Sequence, residues 1–138
     1  MWSPHLKKDI AILEKVQRRA SRFALGIDAK DIPYDERLSR LKWPTLEKRR
    51  LFSSLCECYK TINKLNGLDP QELFISADQF RPLRSNHCFK LKTRSAKLTS
   101  YKFSFFIRII NLWNNLPKDI AEAKDLGTFK KYLKKHIF

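Results

Sequence analysis

The chain has 138 residues, 43% hydrophobic and 31% charged, with only three glycines and six prolines. That composition argues against disorder, fibre and repeat classes, and size scaling lets such a chain bury roughly two thirds of its unfolded surface, so one domain over residues 1–138 is expected. The formal net charge of +15, from 29 Lys and Arg against 14 Asp and Glu, exceeds what solubility asks of a small domain and points to a polyanionic partner.

The first element predicted is a helix opened by Ser3-Pro4 as N-cap and first-turn proline, and closed at Gly26. Its apolar positions Leu6, Ile10, Leu13, Val16, Ala20, Phe23 and Ala24 recur every three or four residues and read as the core stripe. At 100° per residue, Lys8, Lys15, Arg18, Arg19 and Arg22 fall in an arc of about 100° opposite that stripe. Pro33 begins a short helix, Tyr34 to Leu41, which cannot pass through Trp43-Pro44 because a residue before proline is pushed out of helical geometry. Pro44 then opens a longer helix to about Leu65, stopped by Asn66-Gly67, and Asp69-Pro70 starts a helical turn through Phe74.

Residues 76–98 lack a helical period and read as an irregular basic connector. Within it the alternation Phe89-Lys90-Leu91-Lys92 suggests a short strand or hairpin near residues 80–98. Tyr101 to Leu116 is apolar nearly all round; its length favours a buried helix, while its aromatic and β-branched content leaves a strand open. Pro117 ends it, and a last helix from about Thr128 to Ile137 buries Phe129, Leu133 and Ile137 and points Lys130, Lys131, Lys134 and Lys135 outward. Trp43 and Trp113, beside Leu41 and Leu112, read as core. The expected fold is mainly α, five to six helices around one core.

The cationic excess is local. Gln79 to Pro117 holds eight basic residues and no acidic one, whereas Pro33 to Asp78 is balanced at eight basic to seven acidic. Clustered Lys and Arg neutralise phosphates and release counterions, which is the sequence-independent basis of nucleic-acid affinity. The connector residues Arg81, Arg84, Lys90, Lys92, Arg94, Lys97, Lys102 and Arg108 are therefore the first candidates, with His87 and Phe89 available to stack on unpaired bases. The face of the first helix, Lys15, Arg18, Arg19 and Arg22, is the second. The plainer alternative for both is a solvated face.

Catalysis finds little support. Two-metal chemistry needs converging carboxylates, and the sequence has no Asp-Asp pair; Asp35-Glu36 sits in a helix's first turn, where acids complement the dipole. Cys56, Cys58, His87 and Cys88 do not match zinc-finger spacing, since Cys56 and Cys58 lie about 200° apart on one helix. His5 and His136 stand at opposite ends of the chain without a nucleophile suggested by motif. No cofactor or metal is expected. The lack of an apolar run of about 18 residues or of a signal-peptide core argues against a membrane partner, and three cysteines without framework spacing suit a reducing compartment, so an intracellular setting is expected.

Several blocks recur in an order that resembles a known family. They are Trp2-Ser3-Pro4, Leu13-Glu14-Lys15-Val16-Gln17-Arg18-Arg19-Ala20, Pro33-Tyr34-Asp35-Glu36-Arg37-Leu38 and Leu41-Lys42-Trp43-Pro44-Thr45-Leu46-Glu47-Lys48-Arg49-Arg50. Tyr59-Lys60, Asn111-Leu112-Trp113-Asn114-Asn115-Leu116-Pro117 and Thr128-Phe129-Lys130-Lys131-Tyr132-Leu133 complete the set. Together they resemble the region that follows the reverse transcriptase domain in Jockey-like and related non-LTR (LINE-type) retrotransposons of animals. Phe52-Ser53-Ser54-Leu55-Cys56-Glu57-Cys58 and Asn86-His87 depart from the family's usual wording.

The resemblance implies a non-catalytic C-terminal fragment of an RNA-directed DNA polymerase, whose catalytic aspartates lie upstream, and a chain starting at Met1 that reflects a truncated element copy, a gene model beginning inside one, or a designed boundary. It implies sequence-independent, salt-sensitive contact with RNA or DNA, a neighbouring reverse transcriptase domain, and residence in the nucleus or a cytoplasmic ribonucleoprotein. The alternative is a structural tail that packs on the polymerase thumb or self-associates, with no nucleic-acid role of its own.

Overall fold

A computed structural model of the chain describes residues 3–26, 31–76, 88–92 and 103–138. Among them are seven helices: α1 (Lys7–Leu25), α2 (Tyr34–Leu41), α3 (Leu46–Ile62), α4 (Pro70–Leu73), α5 (Phe105–Asn114), α6 (Lys118–Ala121) and α7 (Leu126–Ile137). The protein is mainly α, as the periodicity predicts. The element beyond those expected is α6, a four-residue turn that follows Pro117. The only strand-like pairing among the described residues is an isolated antiparallel bridge between Ser76 and Leu91. The chain divides into two compact units, one reaching Leu51 and the other Phe52–Ile137, each described by itself.

In the first unit α1 packs on α2, but not through its apolar stripe. The buried positions are Gln17 and Ser21, with Ile10 and Glu14 half-buried beside them. Val16 and Phe23 are 65% and 92% exposed, Ala20 and Ala24 are also exposed, and only Ile10 and Leu13 of the predicted stripe turn partly inward. At 100° per residue the buried centre lies roughly 80° from the centre of that stripe. The cause is what α2 offers. Arg37 is buried at 3% exposure, and a buried guanidinium must find acceptors. It donates to Ser21 Oγ at 3.2 Å and to the Ile32 carbonyl at 3.1 Å, so the polar edge of α1 is drawn inward.

Helix ends differ from expectation where local chemistry outranks pattern. Ser3 does not cap α1; Leu6 stands at the N-cap and makes no side-chain cap bond. The longer helix begins at Leu46 rather than Pro44, with Thr45 Oγ1 accepting from Lys48 N at 3.2 Å. It ends at Ile62, before Asn66-Gly67, because Lys64 takes a left-handed conformation (φ 57°) and Leu65 N then reaches the Lys60 carbonyl at 2.8 Å. Lys42 closes α2 in the same way, here at the expected Leu41 end, with Trp43 N bonded to the Leu38 carbonyl at 2.9 Å. Asp125 draws the start of α7 forward to Leu126 by accepting from Thr128 N at 2.9 Å and Thr128 Oγ1 at 2.6 Å. Gly127 permits this, since a Cβ there would meet Asp125 Oδ1 at 2.9 Å.

The second unit has an aromatic centre. Tyr59, Trp113 and Phe129 are all at most 2% exposed. Tyr59 stacks on Phe129 at 4.3 Å between centroids, and Trp113 lies 6.0 Å from the same ring. Ile107, Ile109, Ile110 and Leu133 fill the space around them, so the apolar segment after the connector is a buried helix and the strand alternative is excluded. Trp113 is core as predicted. Trp43, in the first unit, is 39% exposed and is not core: the left-handed turn at Lys42 carries the chain out of α2 at that residue.

The polar margin of α3 is closed by Asn66, which donates to Glu57 Oε1 at 3.1 Å and Thr61 Oγ1 at 2.9 Å. That bond, with help from Lys60, holds the Glu57 carboxyl below the usual carboxylate range. Phe129→Ala should destabilise the protein by about 3–5 kcal/mol in urea unfolding, as expected for losing a fully buried aromatic. Tyr132→Ala on the same helix, 43% exposed, should cost less than about 1 kcal/mol.

Candidate nucleic-acid interface

Of the connector candidates, Arg81, Arg84, Arg94, Lys97 and Lys102 lie outside the described residues, as do His87 and most of the expected strand or hairpin. Lys90 and Lys92 are described, on an extended strap of residues 88–92 whose backbone is held by side chains. Trp113 Nε1 donates to the Phe89 carbonyl at 2.7 Å. Asn114 grips Leu91 from both sides, accepting from its N–H at 3.0 Å and donating to its carbonyl at 2.8 Å. Glu122 Oε1 accepts from Cys88 N at 3.0 Å, and Lys92 N reaches the Ile75 carbonyl at 2.7 Å. Leu91 is buried, Lys90 half-buried, Lys92 exposed, and the Phe89 ring 41% exposed. The strap thus presents an aromatic face and two cations from a fixed backbone. Arg108, on α5, is half-buried.

The helix-one candidates Lys15, Arg19 and Arg22 are exposed and, with Lys8, form one row; at 100° per residue the four span roughly 60°. Arg18 belongs to a different contact. Its guanidinium lies 4.7 Å above the Tyr34 ring, and Arg37 flanks the same ring at 5.7 Å. Beside the row runs a second exposed stripe, Ile12, Val16, Ala20 and Phe23, of which Val16, Ala20 and Phe23 were expected in the core.

The row is held in place by the opposite edge of α1. Glu14 accepts a short hydrogen bond from the Tyr34 hydroxyl, and its other oxygen accepts from Leu46 N, at the start of α3, at 3.2 Å. A carboxylate there complements the helix N-terminus. Gln17 Nε2 donates to the Pro44 carbonyl at 2.8 Å, and Ser21 Oγ donates to the Arg18 carbonyl at 3.0 Å while accepting from Arg37. Sequence reading missed this seam. Its trace in the sequence is the spacing of Glu14, Gln17 and Ser21 at intervals of three and four along a helix otherwise divided between apolar and basic residues.

Among the described residues no group of three or more His, Cys, Asp or Glu side chains converges. Burial raises the Cys56 and Cys58 thiols above their ordinary value, and a protonated thiol is neither a good nucleophile nor a good metal ligand. No described helix is long and apolar enough to cross a membrane. No protein-family model, curated protein or solved structure matches the chain.

Burial first, and then the hydrogen bond to Glu14, raises the Tyr34 hydroxyl above its ordinary value. The folded chain therefore keeps this proton where the unfolded chain has lost it. The contribution is whole below the unfolded tyrosine value of about 10 and is lost as pH rises through the higher folded value. Tyr34→Phe should lower unfolding free energy by about 1 kcal/mol at neutral pH, and the gap from the unsubstituted protein should narrow above about pH 10 in denaturation followed by circular dichroism.

Proposed function

We propose that the chain is the non-catalytic C-terminal module of a non-LTR retrotransposon reverse transcriptase and that it holds RNA or DNA beside the polymerase without reading sequence. The observation that carries this reading is the exposed row Lys8, Lys15, Arg19 and Arg22 on a helix whose other edge is pinned by Glu14, Gln17 and Ser21. A fixed row of cations tracks a phosphate backbone and offers no base-reading geometry. Lys90, Lys92 and the Phe89 ring on the strap supply a second contact of the same chemistry, with the ring free to stack on an unpaired base.

The resemblance supports the family origin, and the structure adds a physical reason for the blocks that carry it. Glu14 and Gln17 of one block meet Tyr34 of the next and Pro44 and Leu46 of the third, all within the first unit. The polymerase chemistry itself belongs to the upstream domain in this reading, with the nucleus or a cytoplasmic ribonucleoprotein as the setting. Partners are RNA or DNA and the adjoining reverse transcriptase domain.

The test is binding to single-stranded RNA, duplex DNA and an RNA–DNA heteroduplex at rising salt. Affinity should fall steeply with salt and vary little with sequence. Reversing Lys15, Arg19 and Arg22 together should reduce the log–log salt slope on single strands by about 2, at roughly 0.7 per phosphate contact. Reversing Lys130, Lys131 and Lys134 should reduce it less. Salt-independent or absent affinity would refute the reading and leave the structural tail in its place; equal effects of the two triple reversals would reduce it to diffuse charge.

A further inference from the structure

The stripe Ile12, Val16, Ala20 and Phe23 is left exposed by the described residues, and one part of it is concave. Val16 and Ala20 form one wall of a groove of about 530 Å³ whose other wall is Trp43, Pro44, Leu46 and Arg49. Trp43 is 39% and Val16 65% exposed, so this is apolar surface facing solvent. The cations border it on one side, Lys15, Arg19 and Arg22 along α1, and Arg49 contributes from α3. Of the two acidic residues of α1, Glu14 is turned inward to Tyr34 and Leu46, and Asp9 lies almost two turns before Val16.

We infer that this groove receives an acidic amphipathic helix of another protein, which lays apolar side chains against Val16, Ala20 and Trp43 and carboxylates against the cationic border. The size of the groove suits the side chains of one helix face rather than a flat surface. Charge selects the occupant. A second copy of this chain brought face to face through α1 in antiparallel fashion would bring the cationic row of one copy, Lys8, Lys15, Arg19 and Arg22, up to that of the other, an arrangement that like charges oppose. An acidic helix reverses the sign of that contact. This inference goes beyond nucleic-acid holding and stands or falls separately, because its ligand has an apolar face that a phosphate backbone lacks.

The experiment titrates the full chain against a fluorescently labelled peptide of about eighteen residues, five helical turns, with leucines at every third or fourth position and glutamates elsewhere. A second peptide has the same composition with the leucines dispersed around the helix. The expected result is saturable one-to-one binding of the amphipathic peptide and at least about tenfold weaker binding of its scrambled counterpart. Val16→Asp and Trp43→Ala should each weaken binding by about tenfold, while Leu68→Asp, an exposed apolar residue of the other unit, should leave it unchanged.

Circular dichroism of each variant should retain the helical signal; Val16 and Trp43 are both exposed, so neither substitution opens a buried core. Equal binding of the two peptides, or no binding of either, overturns the inference. So does concentration-dependent self-association abolished by Val16→Asp, which would make a second copy the occupant. Binding to anionic phosphatidylserine vesicles that requires Val16, without binding to the peptide, overturns it in favour of a lipid surface.

Discussion

An extended segment outside a sheet must satisfy its backbone by other means, and that constraint organises the unit from Phe52 to Ile137. The strap of residues 88–92 has one bridge, through Leu91 to Ser76, and its backbone is further held by side chains and by the Ile75 carbonyl. Trp113, Asn114 and Glu122 supply those partners from the end of α5 and from α6's C-terminal edge. The arrangement explains why an asparagine follows the tryptophan at the end of a largely apolar helix. Trp113 fills the core with its ring and turns its one donor outward to the strap, so packing of Tyr59 and Phe129 and placement of Lys90 and Lys92 depend on the same side chain.

The unit up to Leu51 solves a related problem. A buried arginine in α2 imposes a polar surface on whichever helix packs against it, and α1 answers with Ser21, Gln17 and Glu14. Turning that edge inward leaves Val16, Ala20 and Phe23 outside, next to the cationic row. Burial of these apolar residues would stabilise the helix by about 1.5–3 kcal/mol for each large one, but an unpaired buried guanidinium costs more than one such residue returns. The resulting surface is both apolar and cationic. One helix therefore offers a phosphate-tracking row and, beside it, a groove wall.

Much of the helical skeleton was legible. The short helix Tyr34–Leu41 is bounded by Pro33 and Trp43-Pro44, where proline geometry leaves no choice, and α7 shows Phe129 and Leu133 at the spacing of a buried stripe. Boundaries failed where a single side chain or an unusual backbone angle decided them. Lys64 adopts a left-handed conformation without being glycine or asparagine, and Asp125 starts a helix whose pattern begins only at Thr128. The core face of α1 was misjudged because periodicity locates apolar residues and cannot see that the opposing helix brings an arginine. Trp43 was misjudged for its hydrophobicity, and its exposure follows from the turn before it. For the candidate site, the cationic row could be read from spacing alone. The strap's anchors could not, since they join residues 23 and 34 positions apart.

The side-chain-held strap is the central claim and has a direct readout in native-state amide hydrogen exchange resolved by residue. The N–H groups of Cys88, Leu91 and Lys92 should exchange well below their unprotected rates, and Asn114→Ala should speed the Leu91 amide selectively while the amides of α7 keep their protection. Exchange of Leu91 and Lys92 at the rate of an unstructured chain in the unsubstituted protein would contradict the account.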